Sequence, residues 1–475
     1  MPPPDKPRPG RPGAKKPPRR APAAWRAAAD PRRLAAWVLC ELEERRKNLD
    51  RILEELEERP ILADRRDRDL FQAVVFGALR RRARIDSLIA RAANRPLAEL
   101  DPPVRALLRA ALFQVLFLDR VPASAAVHAA VEAAKELSPW VASFVNAVLR
   151  KASQADTGPD AAPGDPAARL AAEGGLPFWL SRRWVARWSE TKAAALAAAV
   201  NEIPSLALRA NTLKIDRDGL IARLRPDAEE VLPTRISPVG LHVRGLRPRV
   251  AETAAFREGL FQVQDEASQM VGALLAPRAG ERVLDLCAGR GGKTGHIAQL
   301  MGNAGELVAV DKSEKRLGRL SREMERLGVR IVSCHAADLL ELPAEALGGP
   351  FQRVLLDAPC SGLGTIRRNP DIRWSVDEGG FPRRQATQRA LLSAAAQLVS
   401  AGGVVVYAVC SPEPEEGIEV IEGFLRADDR FELDPHTEDV PGEIRALLEG
   451  SGFLQTWPGL QYMDGFFAAR LRRKG

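Results

Sequence analysis

Two cysteines and one aspartate stand directly after apolar segments that are typical of β-strands. Asp357 and Cys360 belong to DAPCSG, which follows FQRVLL, and Cys410 belongs to YAVCSP, which follows GGVVV. In this half of the chain short apolar strands alternate with helices, which predicts a mostly parallel, doubly wound α/β sheet. Because ligands of such sheets bind beyond the carboxyl ends of the strands, we expect the three side chains to lie in one site.

A glycine-rich loop follows the first strand of the same region. Its glycines let the backbone approach a ligand closely, and the helix behind it offers free N–H groups. Asp311 ends the next strand, where an acid can bind two ribose hydroxyls, and Asp338 ends the third, where it would lie near an adenine edge or cap a helix. The loop residues expected to hold a nucleoside cofactor are Cys287, Ala288, Gly289, Arg290, Gly291, Gly292 and Lys293.

Two thiols beside a nucleoside site suit one particular reaction. Carbon 5 of cytosine is a poor nucleophile, but a thiolate that attacks carbon 6 turns the ring into an enamine, which can take a methyl group from a sulfonium donor. The loop and the acids alone would also suit a dinucleotide dehydrogenase, so the thiols carry the distinction. These residues therefore predict covalent methyl transfer to cytosine.

Several motifs together resemble the RsmB/Nop2/Sun family of RNA cytosine-5 methyltransferases. They are DAPCSG, the C-x-x-x-GGKT loop, the V-Y-x-x-C-S strand end, QDEASQ and DGFFAARL. The resemblance implies a Rossmann-like methyltransferase domain with S-adenosyl-L-methionine as cofactor. It also implies that residues 287–293 surround this cofactor together with Asp311, Asp338 and Asp357.

The same resemblance implies the catalytic roles. Cys410 would be the nucleophile, Cys360 would help to release the product, and Asp357 would hydrogen-bond the cytosine. Lys293 is a candidate for lowering the pKa of the attacking thiol, which is ordinarily about 8.5. Two alternatives remain open: a DNA cytosine-5 methyltransferase that attacks with the Cys360 of its Pro359-Cys360 pair, and a non-catalytic RNA-binding ribosome assembly factor.

Three positions depart from the family pattern. The loop more usually reads C-A-A-P-G-G-K, whereas Gly289 and Arg290 stand in this chain. Val409 stands where a threonine usually precedes the nucleophile, and Gly417 stands where an asparagine is usual. Since both thiols, the lysine and the acids match the family, we expect the protein to be active.

The first part of the chain is predicted to be all α-helical, because its apolar residues recur at helical spacing. The strings AVVFGALR, VPASAAVHAAVEAAK and FVNAVLR resemble the NusB-type RNA-binding domain, which points to the RsmB (Sun) branch and to small-subunit (16S) ribosomal RNA. The alternative is a scaffolding bundle with solvated charges. Cys40, on one of these helices, and Cys334, in a later strand, are predicted to be buried core residues.

Two further segments combine arginine with tryptophan. Residues 367–374 follow the DAPCSG strand, and we expect this basic loop to grip RNA phosphates or to be a solvated surface loop. Trp179, Trp184 and Trp188 alternate with arginines in LPFWLSRRWVARW. They fit either the core face of an amphipathic helix or a surface that stacks on RNA bases.

Charge and cysteine content limit the partners and the compartment. The 475 residues hold 70 Lys and Arg against 62 Asp and Glu, a net charge of +8 that favours an acidic partner such as RNA. No apolar run approaches the roughly 18 residues of a membrane span, and the N-terminus lacks the apolar core of an export signal. The five cysteines show no metal-binding spacing, so we expect no metal and a reducing cytoplasm. Nothing in the sequence indicates an oligomeric state.

These observations predict a multidomain chain. The basic N-terminal arm is expected to be disordered and to act as a solubilising tail or as a phosphate-binding segment. The predicted parts are the arm (1–22), the NusB-like helical RNA-binding domain (23–153), a linker (154–166), a small α+β RNA-binding or connecting domain (167–275) and the methyltransferase domain (276–475).

Overall fold

The structure of the protein is a computed structural model that describes residues 20–44, 48–58, 61–154, 164–434, 436–448, 450–458 and 462–475. The chain divides into two compact units, Met1–Gly175 and Leu176–Gly475. Most of the predicted arm (1–19) and of the predicted linker (155–163) lies outside the described residues. The first unit extends past the predicted linker because the helix Pro166–Gly174 packs on the helix Arg82–Ala93.

Within the described residues the first unit is built of α-helices. They are α1 (Ala23–Arg26), α2 (Pro31–Glu43), α3 (Leu49–Glu57), α4 (Arg65–Arg80), α5 (Arg82–Ala93), α6 (Pro102–Phe117), α7 (Ala123–Lys135), α8 (Pro139–Gln154) and α9 (Pro166–Gly174). Local sequence explains several starts. Asp30 caps α2 by accepting the N–H of Arg32 at 2.8 Å, and proline, whose missing N–H is harmless in a first turn, opens α2, α6 and α9.

Helix α6 forms the centre of this unit, since it contacts α2, α4, α5, α7 and α8. Leu108 and Leu112 on α6 are fully buried. Cys40 on α2 is also fully buried, and burial raises the pKa of its thiol to about 12. The prediction that Cys40 is a core residue is therefore confirmed.

A charged cluster crosses the same core. Arg109 on α6 is only 4% exposed, and it forms ion pairs with Asp86, at 2.5 Å, and with Glu43. Burial alone would raise the pKa of Glu43, but the Arg109 guanidinium lowers it below its usual value. The cluster thus joins α2, α5 and α6 by charges that have little access to bulk water.

The second unit begins with helices and a small antiparallel sheet. Its first elements are α10 (Phe178–Arg187), α11 (Glu190–Ala199), β1 (Leu206–Ala210), α12 (Arg217–Leu224), β2 (Glu230–Pro233), β3 (Gly240–Arg244), α13 (Ala254–Arg257), β4 (Phe261–Val263) and α14 (Glu266–Leu275). Among described residues the strands pair in the order β2-β3-β1-β4. Leu208, Leu241 and Phe261 fill the core on one face of this sheet.

A large sheet occupies the rest of the second unit. The remaining elements are β5 (Arg282–Leu286), α15 (Gly292–Leu300), β6 (Glu306–Asp311), α16 (Glu314–Leu327), β7 (Val332–Ala336), β8 (Phe351–Asp357), α17 (Ile372–Ser375), α18 (Phe381–Gln397), β9 (Val399–Val409), α19 (Ile418–Ala427), β10 (Phe431–Leu433), α20 (Gly442–Leu448), β11 (Phe453–Gln455) and β12 (Phe467–Arg473). The strand order is β10-β12-β9-β8-β5-β6-β7, with β11 paired to β12. Strands β5 to β9 run parallel, whereas β12 pairs with β9 in the antiparallel sense. The predicted fold class is confirmed.

One core prediction is wrong. Cys334 is exposed because its strand, β7, lies at the edge of the large sheet. Its thiol lies 3.6 Å from the hydroxyl of Ser321 on α16, and this helix leaves the side chain at the sheet edge open to solvent. Separately, no helix in the described part of the chain is both long and apolar enough to cross a membrane.

Candidate active site

The glycine loop turns sharply between β5 and α15. Cys287 and Gly291 adopt left-handed backbone conformations, with φ of 58° and 83°. A Cβ atom at Gly291 would lie 2.7 Å from Cγ of Leu320, so only glycine fits there. The loop is anchored to the next strand, because the N–H of Gly289 donates to Oδ2 of Asp311 at 3.0 Å.

Asp311 and Asp338, two of the three acids predicted to bind the cofactor, differ in their surroundings. Asp311 ends β6, is 5% exposed, and accepts the N–H of Ser313 through Oδ1 at 2.9 Å. Asp338 follows β7, is half-buried, and caps a turn by accepting the N–H of Leu340 at 3.1 Å. Asp311 is therefore hydrogen-bonded to the glycine loop from the end of β6, whereas a contact of Asp338 with adenine stays a prediction.

Asp285 is a buried acid that the sequence analysis did not single out. It is fully buried in β5, and the hydroxyl of Thr294 donates to its Oδ2 at 2.6 Å. Its Oδ1 has no hydrogen-bond partner among the described residues. Burial raises the pKa of Asp285 to about 7, against the lowering effect of Thr294. The available signal was a charged residue inside the apolar strand RVLDL, since unpaired buried charges mark functional sites.

Lys293 and Asp357 form a close ion pair. Nζ of Lys293, in the first turn of α15, lies 2.7 Å from Oδ2 of Asp357 at the end of β8. Burial alone would lower the pKa of Lys293, but Asp357 raises it, and Cys410 adds to the rise. The ring of Phe466 lies 5.4 Å from the same ammonium. The lysine is thus a cation at neutral pH that acts on both Asp357 and Cys410.

The structure brings the two predicted catalytic thiols into contact. Sγ of Cys360 lies 3.3 Å from Sγ of Cys410. The hydrogen bond to Cys410, together with burial, raises the pKa of the Cys360 thiol well above its usual range. Burial and the nearby Asp357 likewise raise the pKa of Cys287 to about 12. Cys360 and Cys287 are therefore protonated thiols at neutral pH.

A second buried acid lies behind the thiols and was also missed. Glu416 is fully buried and accepts hydrogen bonds from the hydroxyls of Ser361 and Ser411, both at 2.5 Å. Each serine directly follows one of the two cysteines. In the sequence Glu416 belongs to the polar run PEPEEG, which is typical of a solvated loop, so only the serine after each cysteine could have suggested this partner.

The structure shows the surroundings of two positions, Gly417 and Val409, at which the chain departs from the family pattern. A Cβ atom at Gly417 would lie 2.9 Å from the ring of Phe467, so the glycine lets β12 pack closely beside the thiols. Val409 is fully buried in β9, where its side chain packs in the sheet core. Arg290 is exposed on the glycine loop. None of the three removes a group from the cluster of thiols and acids.

The small sheet and α10 support the site from behind. Arg209 of β1 is fully buried and donates to the carbonyl of Gly292 at 2.8 Å, beneath the glycine loop. Arg187 of α10 donates to the carbonyl of Pro412 at 2.7 Å, and Arg183 pairs with Glu413 at 2.7 Å. The segment after Cys410 is therefore held by a helix outside the large sheet.

The loop of residues 367–374 does not match its prediction. Arg367 and Arg373 are 3% and 0% exposed, and their guanidiniums donate to backbone carbonyls. Arg368 forms ion pairs with Asp265 and Asp464, at 2.7 and 3.0 Å. The prediction of an RNA-gripping loop is wrong for Arg367 and Arg373, because their charges are used to hold the loop against the protein.

The tryptophans in α10 and directly after it do not all fit one of the two interpretations. Trp184 is 3% exposed and is a core residue. Trp179 and Trp188 are not fully buried. Trp188 lies edge-on to Trp457, with ring centroids 4.8 Å apart, and Arg187 lies 5.0 Å from both rings. The core interpretation therefore holds for Trp184, and stacking of Trp188 on RNA stays a prediction.

Comparison with known proteins gives matches over most of the chain. Three family models match it: NusB family (29–154), Methyltr_RsmF/B-like, ferredoxin-like domain (176–248), and 16S rRNA methyltransferase RsmB/F (272–472). A Bacillus subtilis protein named probable ribosomal RNA small subunit methyltransferase B is 33% identical over 446 residues, 94% of this chain and 99% of that protein. A Pseudomonas putida protein named ribosomal RNA small subunit methyltransferase B is 36% identical over 424 residues, 86% of this chain and 91% of that protein. A crystal structure reported under the name PH0851 is 29% identical, with a TM-score of 0.78, and covers 93% of this chain and 99% of that one.

The cofactor that these matches imply is S-adenosylmethionine, and the strand ends suit it. A Cβ atom at Gly289 would meet no atom closer than 3.8 Å, so the loop backbone is open to a ligand there, and Asp311 offers a carboxylate for ribose hydroxyls. The orphaned oxygen of buried Asp285 is an acceptor without a partner among the described residues, which a cationic group of the ligand can satisfy. The chain has a methyltransferase sheet and an N-terminal helical domain, and its relatives match it over most of its length. It therefore belongs to the RsmB family of ribosomal RNA methyltransferases.

Proposed function

We propose that this protein methylates carbon 5 of a cytosine in small-subunit ribosomal RNA, through a covalent bond between Cys410 and carbon 6. The names of its relatives and its net charge of +8 support RNA as the substrate. The observation that carries the chemistry is the pair of thiols, 3.3 Å apart, at the ends of neighbouring strands beside the cofactor loop.

The two thiols have unequal surroundings, which supports unequal roles. Cys360 is protonated, because the pKa of its thiol is raised well above its usual range, and it can donate a hydrogen bond to Cys410. The Lys293 ammonium acts electrostatically on Cys410. Cys410 thus has a cation and a hydrogen-bond donor beside it, whereas Cys360 is held as a protonated thiol, which supports Cys410 as the attacking group.

The proposed reaction uses these groups in turn. Attack forms the bond between Sγ of Cys410 and carbon 6 and moves electron density onto carbon 5. Asp357, held by Lys293 at 2.7 Å, hydrogen-bonds the cytosine edge and steadies the adduct. S-adenosylmethionine, when bound, would supply the methyl group that carbon 5 takes, and its sulfonium would become the thioether of S-adenosylhomocysteine. A base then accepts the proton of carbon 5, the bond between Sγ and carbon 6 breaks, and Cys360 donates a hydrogen bond to the departing Cys410 thiolate.

A denaturing gel with labelled substrate RNA tests this assignment. Cys360→Ala should enter the adduct and leave it slowly, so a protein-linked RNA band accumulates. Cys410→Ala and the double variant should show no band and no methylation. Cys334→Ala is the matched control, because its thiol is exposed on β7, and it should methylate RNA like the unaltered protein.

The opposite pattern would contradict the nucleophile assignment. A band with Cys410→Ala but none with Cys360→Ala would make Cys360 the attacking thiol, as in the DNA-type alternative. Matched RNA and DNA oligonucleotides then separate the two substrate classes. Bisulfite sequencing of ribosomal RNA from cells with and without the gene identifies the cytosine, and an unchanged pattern would contradict the proposed substrate.

A further inference from the structure

The carboxylate of Glu416 joins the two loops that carry the catalytic thiols. Its Oε1 accepts the N–H of Ser361 at 2.7 Å, and its Oε2 accepts the hydroxyls of Ser361 and Ser411, both at 2.5 Å. Nε2 of Gln388 lies 3.3 Å from Oε1. All four donors are thus collected by one fully buried side chain.

The two serines transmit this bridge to the thiols. Ser361 follows Cys360 at the loop after β8, and Ser411 follows Cys410 at the end of β9. A residue fixed by hydrogen bonds on its backbone and side chain leaves its neighbour little freedom. The two serine hydroxyl oxygens also lie 3.2 Å apart, so the two loops are in contact at the serines as well as through Glu416.

The bridge is itself anchored from the sheet. The hydroxyl of Tyr407, shortly before Cys410 on β9, donates to the carbonyl of Glu416 at 2.6 Å. Gln388 of α18 donates at 3.0 Å to the carbonyl of Pro359, which lies directly before Cys360. Strand, helix and both thiol loops therefore meet at Glu416, and both of its carboxylate oxygens accept hydrogen bonds. Among the described residues Oε1 of Gln388 has no partner, so the network is anchored mainly by Glu416 and the two serines.

We propose that Glu416 is a positioning residue that holds the Cys360 and Cys410 thiols in contact by joining Ser361 to Ser411. It does not touch the reacting atoms, because its carboxylate is used by these partners. The value of the contact for catalysis rests on the proposed function, whereas the contact itself can be measured without RNA.

Substitutions of Glu416 separate the bridge from its charge. Glutamine has the same length, and its amide can donate to both serine hydroxyls while its oxygen keeps the N–H of Ser361. Alanine removes the bridge entirely. If position is what matters, Glu416→Gln should keep the thiols together and Glu416→Ala should not.

In the full-length protein, the rate at which diamide oxidises Cys360 and Cys410 to a disulfide reports whether the two thiols are held in contact. Two thiols lose their hydrogens to diamide, which becomes the hydrazine, and a disulfide forms between the sulfurs. In a Cys334→Ser background, we expect the Cys360–Cys410 disulfide, followed by mass spectrometry, to form at least about tenfold more slowly in Glu416→Ala. Glu416→Gln should stay within about threefold of the unaltered rate. Glu422→Gln, on the exposed face of α19, is the control and should not change the rate.

Activity is the second readout. Glu416→Ala should lower kcat for RNA methylation with KM unchanged, and Glu416→Gln should restore most of kcat. If Glu416→Ala does not fold, Ser411→Ala takes its place, since it removes one hydroxyl only, and a slowing of about threefold or more is expected.

The outcomes distinguish this proposal from the proposed function. Equal disulfide rates in Glu416→Ala, or in Ser411→Ala, and the unaltered protein would overturn the bridge, whatever the activity. If Glu416→Ala forms the disulfide more slowly than the unaltered protein, and the unaltered protein does not methylate RNA, the bridge is supported and the proposed function is contradicted. A Glu416→Gln variant as slow as Glu416→Ala would also overturn it, because charge rather than position would then be the cause.

Discussion

Replacing Asp285 by asparagine should make the stability of the cofactor-free protein depend less on pH. The pKa of this fully buried carboxyl is raised from its usual 3.8 to about 7, mainly by burial. A carboxyl with a higher pKa in the folded than in the unfolded protein binds a proton on folding. Its contribution to stability is therefore greatest at low pH and is lost as the pH rises from about 4 to about 7.

The size of the effect follows from the two pKa values. Each unit of pKa difference corresponds to about 1.4 kcal/mol, so ionisation costs the folded protein roughly 4 kcal/mol at pH 8 and under about 2 kcal/mol at pH 5. The asparagine side chain cannot ionise, and its packing does not depend on pH. The difference in unfolding free energy between Asp285→Asn and the unaltered protein should therefore grow by about 2–3 kcal/mol between pH 5 and pH 8, in favour of the variant.

Urea unfolding of the full chain at the two pH values measures this difference. The transition of the second unit is the one that S-adenosylmethionine shifts to higher urea. Asp429→Asn, exposed on the surface of the same unit, is the control and should show no such growth. A constant difference between Asp285→Asn and the unaltered protein at pH 5 and pH 8 would refute the reasoning, since it would mean that Asp285 is already ionised in the folded state at pH 5.

Three further substitutions test other parts of the structure. Asp311→Ala should weaken S-adenosylmethionine binding by about tenfold or more and RNA binding less, because charge-assisted hydrogen bonds contribute about 1.5–3 kcal/mol each; calorimetry measures both. Glu43→Gln should lower the unfolding free energy of the first unit by about 3 kcal/mol in urea, because Arg109 loses a buried partner. This advantage of the unaltered protein should begin to decline below pH 4.5, the usual pKa of a glutamate, and should be lost as the pH falls through the lowered pKa of Glu43 in the folded protein. Gly417→Ala should cost about 1–3 kcal/mol in the same assay, since its Cβ meets the ring of Phe467.

Each of these has a matched control or a contrary outcome. Unchanged affinity for S-adenosylmethionine would remove Asp311 from the cofactor site. Glu132→Gln removes an exposed ion pair of α7 with Lys135 and should change stability by less than about 0.5 kcal/mol; an equal loss for both glutamates would contradict a special role of burial. Gly442→Ala meets no atom within 4 Å, so a loss as large as that at Gly417 would contradict the steric argument.

The strands around the site could be predicted because each one is an apolar run that ends in a residue able to bind a ligand or to react. Asp311, Asp357 and Cys410 each end an apolar run, and parallel strands bring such ends to one edge of the sheet. Their spacing in the sequence therefore indicated that they lie close together. Whether each performs its predicted role depends on contacts with a substrate, which spacing alone does not specify.

Other features depend on contacts that no local pattern encodes. Cys334 lies in an apolar strand like its neighbours, and only the strand order places it at an exposed edge. Arg367 and Arg373 resemble a basic surface loop, yet carbonyls distant in the sequence accept their hydrogen bonds. Glu416 is local to Cys410 in the sequence, but its second serine partner is 55 residues away.

The supports that reach the site from α10 and β1 bear on how this enzyme can be divided or recombined. Arg209 holds the cofactor loop through the carbonyl of Gly292, and Arg187 holds the segment after Cys410 through the carbonyl of Pro412. A fragment that starts at residue 276 would contain every predicted catalytic residue and yet lack both supports. The smallest piece able to work on its own should therefore begin before Phe178, and a chimaera that exchanges the small sheet must exchange the partners of these arginines with it.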